Sequence, residues 1–251
     1  MKYKLVMIEG IDGSGKGVIT NTFKEEAEKE NLKVFDLKSY IKKEKEFPEY
    51  ERIKDYDIII SGEPTYSWVG QAIRQELIKD NQRNYSALTV AQAYALDRKI
   101  LYKRLLIKAL EDGKIVLQDR SVVSSIAYQP LQAEMQNEEL DLDTVLSLPG
   151  NKLAVKDYPP SAVIITQLDP EIAIQRLEDR PKDDACIFER LNFLKKLQER
   201  YDSNWLKSLF EKQGSEVFYI NTSNTIEETQ NQVKKIWSKY LKGGFEKNAD
   251  V

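Results

Sequence analysis

The residues best placed to do chemistry come early in the chain. Gly10-Ile11-Asp12-Gly13-Ser14-Gly15-Lys16 has the glycine and lysine spacing of a phosphate-binding P-loop. An apolar run of strand length, Leu5 to Ile8, precedes it and helical spacing follows it. Glycines let successive backbone N–H groups converge on one concavity, and the positive end of the following helix adds to the field there. Lys16 adds a mobile point charge for the outer phosphates. One position departs from the pattern: Gly17, then Val18, stand where a Ser or Thr hydroxyl would touch Mg²⁺.

Other charged residues follow apolar runs along the chain: Glu9 and Asp12, Glu63, Asp119-Arg120, and Asp169. Each alone would be a solvated loop residue. In an open parallel sheet, however, the ligand sits beyond the carboxyl ends of the strands, so together they are candidates for one shared site. The chain has no histidine, which excludes imidazole acid–base chemistry, Ser-His-Asp triads and His-ligated metals. The single cysteine, Cys186, excludes an intramolecular disulfide and a cysteine-built zinc site. Lysine, arginine, carboxylates and Mg²⁺ remain, which is the equipment of phosphoryl transfer.

The elements that must position these groups are legible as alternation. Short apolar runs around Leu5–Ile8, Lys33–Leu37, Ile58–Ile60, Ile115–Leu117, Val163–Ile165 and Val217–Ile220 are separated by longer helical patterns. That order predicts an α/β fold with a mainly parallel sheet. Helices are predicted over Gly15–Glu30, Val69–Lys79, Ala87–Glu111, a polar stretch to about Glu139, Thr144–Leu148 and Glu171–Glu178. Two more cover Glu189–Phe210, read as one long amphipathic helix, and Ile226–Leu241. Ser39–Asp57 is charged and rich in tyrosine, an excursion or a short helix without assigned function.

At 251 residues without an internal repeat or linker, one domain over 1–242 with a frayed tail over 243–251 is the simplest organisation. Net charge is −3 and the pI near 5.4, so no global field favours nucleic acid or an anionic membrane. No run is long enough to span a bilayer and none resembles a signal peptide, which sets the expectation of a cytoplasmic protein.

The chain resembles the thymidylate kinases, nucleoside monophosphate kinases of the P-loop class. The resemblance lies in Ile8 to Lys16, in Glu63-Pro64-Thr65 with Gly70 and Ile73-Arg74, and in Ala95-Leu96-Asp97-Arg98. It continues through Asp119-Arg120 with Ser124 to Gln129, then Leu168 to Glu171, Arg176 to Arg180, and Phe188-Glu189 ahead of Leu197 to Tyr201. Any one motif is weak, whereas the ordered set over Lys4 to Tyr201 is specific.

The resemblance implies a three-layer P-loop NTPase fold with a mainly parallel five-stranded sheet flanked by helices. It implies transfer of the γ-phosphoryl of ATP to dTMP, with Mg²⁺, in a homodimer. Gly10, Asp12, Gly13, Ser14, Gly15, Lys16, Gly17 and Val18 would bind ATP. Arg120 would grip the acceptor phosphate, Arg98 would reach the thymine carbonyl, and Tyr94 would stack on the base. Ser125 and Tyr128 would face base and sugar, with Glu63 also at the acceptor and Asp12 at the sugar hydroxyl or the metal's waters. Asp12, Glu9 and Asp169 would hold Mg²⁺ through water, and Lys16, Asp12, Arg120 and Arg180 would carry catalysis. Arg180 and Lys182 would belong to a lid near 180–188 that closes over ATP; with Gly13 not basic, the pattern is like the subgroup whose transition-state arginine is on the lid.

Bland readings compete with each assignment: Tyr94 as a core aromatic, Arg120 paired to Asp119 or Glu63, Arg180 and Lys182 as an ordinary charged turn. Arg74 and Arg176 read as solvated or salt-bridged and stay outside the expected site. Departures from the family pattern are Gly17-Val18, Gly62 where most relatives carry arginine, Ser121 in place of an aromatic, and 39–57 as an insertion. They keep two alternatives open, a deoxynucleoside kinase and a catalytically weak nucleotide-binding regulatory protein.

Overall fold

A computed structural model of the chain describes residues 4–178, 187–188 and 190–241. In chain order the elements are β1 (Lys4–Glu9), α1 (Lys16–Lys29), β2 (Val34–Asp36), α2 (Leu37–Glu44), β3 (Ile58–Gly62), α3 (Trp68–Ala72) and α4 (Ala87–Leu101). A widened turn, Tyr102–Leu106, joins α4 to α5 (Ile107–Glu111) as one long rod. There follow β4 (Ile115–Asp119), α6 (Val122–Gln136), α7 (Leu142–Ser147), α8 (Pro149–Lys152), β5 (Ala162–Gln167), α9 (Pro170–Glu178), α10 (Leu191–Tyr201), α11 (Asn204–Glu211), β6 (Glu216–Asn221) and α12 (Ile226–Ile236).

The strands form one sheet in the order β2-β3-β4-β1-β5-β6, and every neighbouring pair is parallel. This is one strand more than the five expected. Short as it is, β2 pairs Val34, Phe35 and Asp36 with Ile58, Ile59 and Ile60 of β3, so it completes one edge. Parallel strands covered on both faces read as continuous apolar runs, and the central ones do so here. Side chains alternate between the two layers. Leu5, Met7, Ile59, Val116 and Val163 pack towards α4, α6 and α10, while Val6, Ile8, Ile60, Leu117 and Ile164 pack towards α1 and α12. Each such side chain contributes about 1.5–3 kcal/mol of burial, enough to hold the strand ends rigidly.

Two helical expectations change. The span read as a single helix to Phe210 is two, α10 and α11, because Ser203 caps a fresh start by accepting the Leu206 N–H. The stretch read as polar around α6 is buried on nearly all sides; Ser124 and Ser125 are covered because they face other buried polar groups. The segment 39–57 holds most of α2 and a single turn at Tyr50–Arg52. Arg180, Lys182 and the rest of the expected lid apart from Ile187 and Phe188, together with the expected tail 243–251, lie outside the described residues.

Candidate active site

The loop after β1 turns because Gly13 and Gly15 take left-handed backbone angles (φ 79° and 83°), with Gly15 ending where α1 begins. A side chain at Gly10 would collide with the Thr166 hydroxyl on β5, which instead donates to the Glu9 carbonyl (3.0 Å) and is hydrogen-bonded to the Ser14 hydroxyl (2.6 Å). The loop is thereby stitched to the neighbouring strand. Lys16 Nζ donates to the carbonyls of Gly10 (3.1 Å) and Ile11 (2.7 Å). Burial, and then the nearby Arg120 charge, bring its pKa down to about 8.

Arg120 leaves β4 with its backbone in the left-handed region, φ 63°, its N–H donating to the Ile8 carbonyl (3.0 Å). An arginine held there costs on the order of 1–2 kcal/mol, and the turn sends the guanidinium back over the loop. Arg120 Nη2 donates to Asp12 Oδ1 (2.6 Å) and Nη1 to the Gly10 carbonyl and Ser124 Oγ, both at 3.3 Å. Its partner is therefore Asp12, and neither Asp119 nor Glu63. Tyr128 OH donates to the other Asp12 oxygen (3.0 Å). Burial works against ionisation of Asp12, but Arg120 and then Lys16 outweigh it, and its pKa falls below the ordinary carboxylate value.

These groups line a cavity of about 650 Å³ at the carboxyl edge of the sheet, a size suited to a small-molecule ligand. Asp12, Gly13, Ser14, Gly15, Lys16 and Gly17 form one end. Glu63, Tyr94, Ser125 and Tyr128, the residues expected at the acceptor, line the same cavity. Gly10 and Val18 are not at its surface. Arg98 stands one layer behind, fully buried, donating to Glu63 Oε2 (2.6 Å), Ser125 Oγ (3.1 Å) and Asn151 Oδ1. Gln118 donates to the other Glu63 oxygen (2.7 Å). Burial raises the Glu63 pKa to about 7; Arg98 pulls against it and Asp97 adds to it.

Glu9 and Asp169 are placed differently from the metal-holding expectation. Glu9 is buried beneath the loop with both oxygens taken, by Ser121 (2.6 Å) on one side and by Ser124 (2.6 Å) and Tyr201 (3.1 Å) on the other. Burial raises its pKa despite the two serine hydroxyls. Ser121, a departure from the family pattern, is thus a partner for Glu9. Asp169 accepts the Glu171 N–H (2.8 Å) at the start of α9, away from the cavity wall.

The thymidylate kinase family model matches residues 48–233, most of the chain. The chain belongs to the thymidylate kinase family. It is 29% identical over 242 residues to the thymidylate kinase of Caldicellulosiruptor saccharolyticus, covering 96% of this chain and 99% of that one. It is 31% identical over 184 residues to the thymidylate kinase of Aster yellows witches'-broom phytoplasma, covering 72% and 83%.

Measured against that family reading, sequence reasoning missed several groups that the fold brings to the cavity. Arg74 Nη2 donates to the Pro64 carbonyl (2.5 Å) and its guanidinium lies 3.8 Å from the Tyr66 ring centre, at the cavity wall. Its place in Ile73-Arg74 was the available signal. Gln129, one helical turn past Ser125, also lines the cavity, and its buried Oε1 has no partner among the described residues. Lys38 and Lys42 come from α2, to which the sequence lent no functional signal. Arg176 does stay outside, donating to the Thr222 carbonyl (2.9 Å).

Proposed function

We propose that the chain transfers the γ-phosphoryl group of ATP to dTMP, giving ADP and dTDP. The observation that carries this reading is the Lys16–Asp12–Arg120 cluster. A P-loop lysine and an arginine from the next strand meet over one carboxylate, at the junction of the loop end and the acceptor side of one cavity. Transfer there needs no covalent intermediate; it needs two phosphates aligned and their charge neutralised. The loop backbone and Lys16 would hold the ATP phosphates, and Arg120 would exchange Asp12 for the acceptor phosphate. Glu63, Tyr94, Ser125 and Tyr128 would bound the base and sugar, with Arg98 fixing Glu63 and Ser125 from behind. Arg180, outside the described residues, would serve as the lid cation for the transferring group.

Mg²⁺ fits the residues present. Among the described residues there is no cluster of three or more metal-ligating side chains, and this ion is commonly held by one or two carboxylates, waters and substrate phosphates. Asp12 at the loop and Asp119 at the end of β4 are the carboxylates available; Asp119 Oδ1 is buried with no partner among the described residues. When bound, the ion neutralises phosphate charge.

The test is ADP release with ATP-Mg²⁺ and a panel of nucleosides and monophosphates, where turnover is expected with dTMP. Turnover with thymidine and not dTMP would make the chain a deoxynucleoside kinase, and tight ATP binding without turnover would make it a regulatory nucleotide binder. A cytoplasmic homodimer with no nucleic-acid or membrane partner belongs to the same reading. The exposed Leu88 and Leu96 of α4 support the dimer, and no helix among the described residues is long and apolar enough to cross a membrane. Sedimentation equilibrium tests the dimer.

A further inference from the structure

Lys38 sits in the first turn of α2, which begins directly where β2 ends. Its ammonium crosses to the ends of β3 and β4, pairs with Asp119 Oδ2, and lines the cavity. A structural ion pair would account for that contact alone, but two observations go further. First, an ammonium carries three donors, and Asp119 takes one; the side chain is 35% exposed and opens on the cavity. Second, the Lys38 stem lies over Gly62. A Cβ at Gly62 would stand 3.1 Å from both Lys38 Cδ and the Asp119 carbonyl oxygen, so the glycine keeps the lysine's path clear. The charge is thus held within reach of the cavity that also holds Lys16 and Arg120.

We infer that Lys38 binds the phosphate of the acceptor nucleotide, with Asp119 holding the ammonium in place and Gly62 leaving room for its stem. This rests on the cavity being the acceptor site, and it is independent of which base the acceptor carries. It also gives the glycine at position 62, where the family pattern has an arginine, a physical role: the cation is delivered from α2.

The decisive measurement compares ligands that differ by the phosphate alone. Titration calorimetry of the intact chain with dTMP and with thymidine is run on the unaltered protein, Lys38→Met and Lys38→Arg. Methionine keeps the stem over Gly62 and removes the charge. Lys38→Met is expected to weaken dTMP about 10- to 100-fold, the scale of a charge-assisted hydrogen bond. Thymidine and ATP affinities should stay near the unaltered values, and Lys38→Arg should recover most of the dTMP affinity. Unchanged dTMP affinity in Lys38→Met would overturn the inference. So would an equal loss of dTMP, thymidine and ATP, which would make the Lys38–Asp119 pair a structural one. If the activity panel shows a different monophosphate to be the acceptor, the same comparison is made with that nucleotide and its nucleoside. A failed base assignment is then separated from a failed phosphate assignment.

Discussion

Replacing Arg98 by methionine should produce a stability loss whose size depends on pH. Arg98 is fully buried and donates to Glu63, Ser125 and Asn151. Losing those bonds costs about 1 kcal/mol each, so about 3 kcal/mol as a baseline. The Glu63 carboxyl has a pKa of about 7, raised by burial and held down by Arg98. Without Arg98 that pKa climbs further. Between the unfolded value near 4.5 and pH 7, folded Glu63 carries a proton that the unfolded chain lacks, in both proteins. Both therefore lose stability with rising pH at the same rate, and the difference between them is flat. Above pH 7 the unaltered protein releases that proton and levels off, while the variant retains it and keeps losing about 1.4 kcal/mol per pH unit. Urea denaturation at pH 6 and pH 8.5 measures the gap, which should widen by about 2 kcal/mol. A gap of the same size at both pH values would refute the reasoning, because it would mean that Glu63 does not change ionisation over that range.

Lys16→Met should lower turnover by about 10²–10³-fold, the cost of removing a positioned charge from the transferring phosphoryl, with the denaturation midpoint little changed; a coupled ADP assay checks this. Lys16 in the free protein has a pKa of about 8, and bound phosphates raise it. ATP binding should therefore take up a proton at pH 8.5 and scarcely any at pH 6.5, measured by calorimetry in buffers of different ionisation enthalpy. A Cβ at Gly17 meets nothing within 4 Å, so Gly17→Ser should fold normally and gain about 0.5 kcal/mol from helix propensity. It should also lower the Mg²⁺ concentration for half-maximal turnover, read from a metal titration.

What was legible in the chain was whatever depends on consecutive residues. The loop from Gly10 to Lys16 declares itself because a backbone nest and the helix behind it are made by one short segment. The strands declare themselves because a sheet covered on both faces demands uninterrupted apolar side chains. Arg120 was visible through its place after a strand. What its guanidinium grips was not, since Asp12 comes from another strand's loop and the left-handed turn at Arg120 decides where the side chain goes.

Tertiary structure alone decided the rest, because burial and charge pairing are properties of neighbours far apart in sequence. Glu9 had the sequence signature of a metal-holding acid, yet hydroxyls of Ser121, Ser124 and Tyr201 enclose it beneath the loop. Arg98 was expected at the base and stands behind Glu63 and Ser125. Lys38 carried no signal, being one lysine at the head of a charged stretch, until the β2–β3 pairing swung α2 over Gly62 and Asp119. By itself the sequence pointed to phosphate chemistry and to the loop built for it. Which carboxylates stay ionised, and which cations line the cavity, followed only from folding, because desolvation and Coulomb forces act across the gaps that the fold closes.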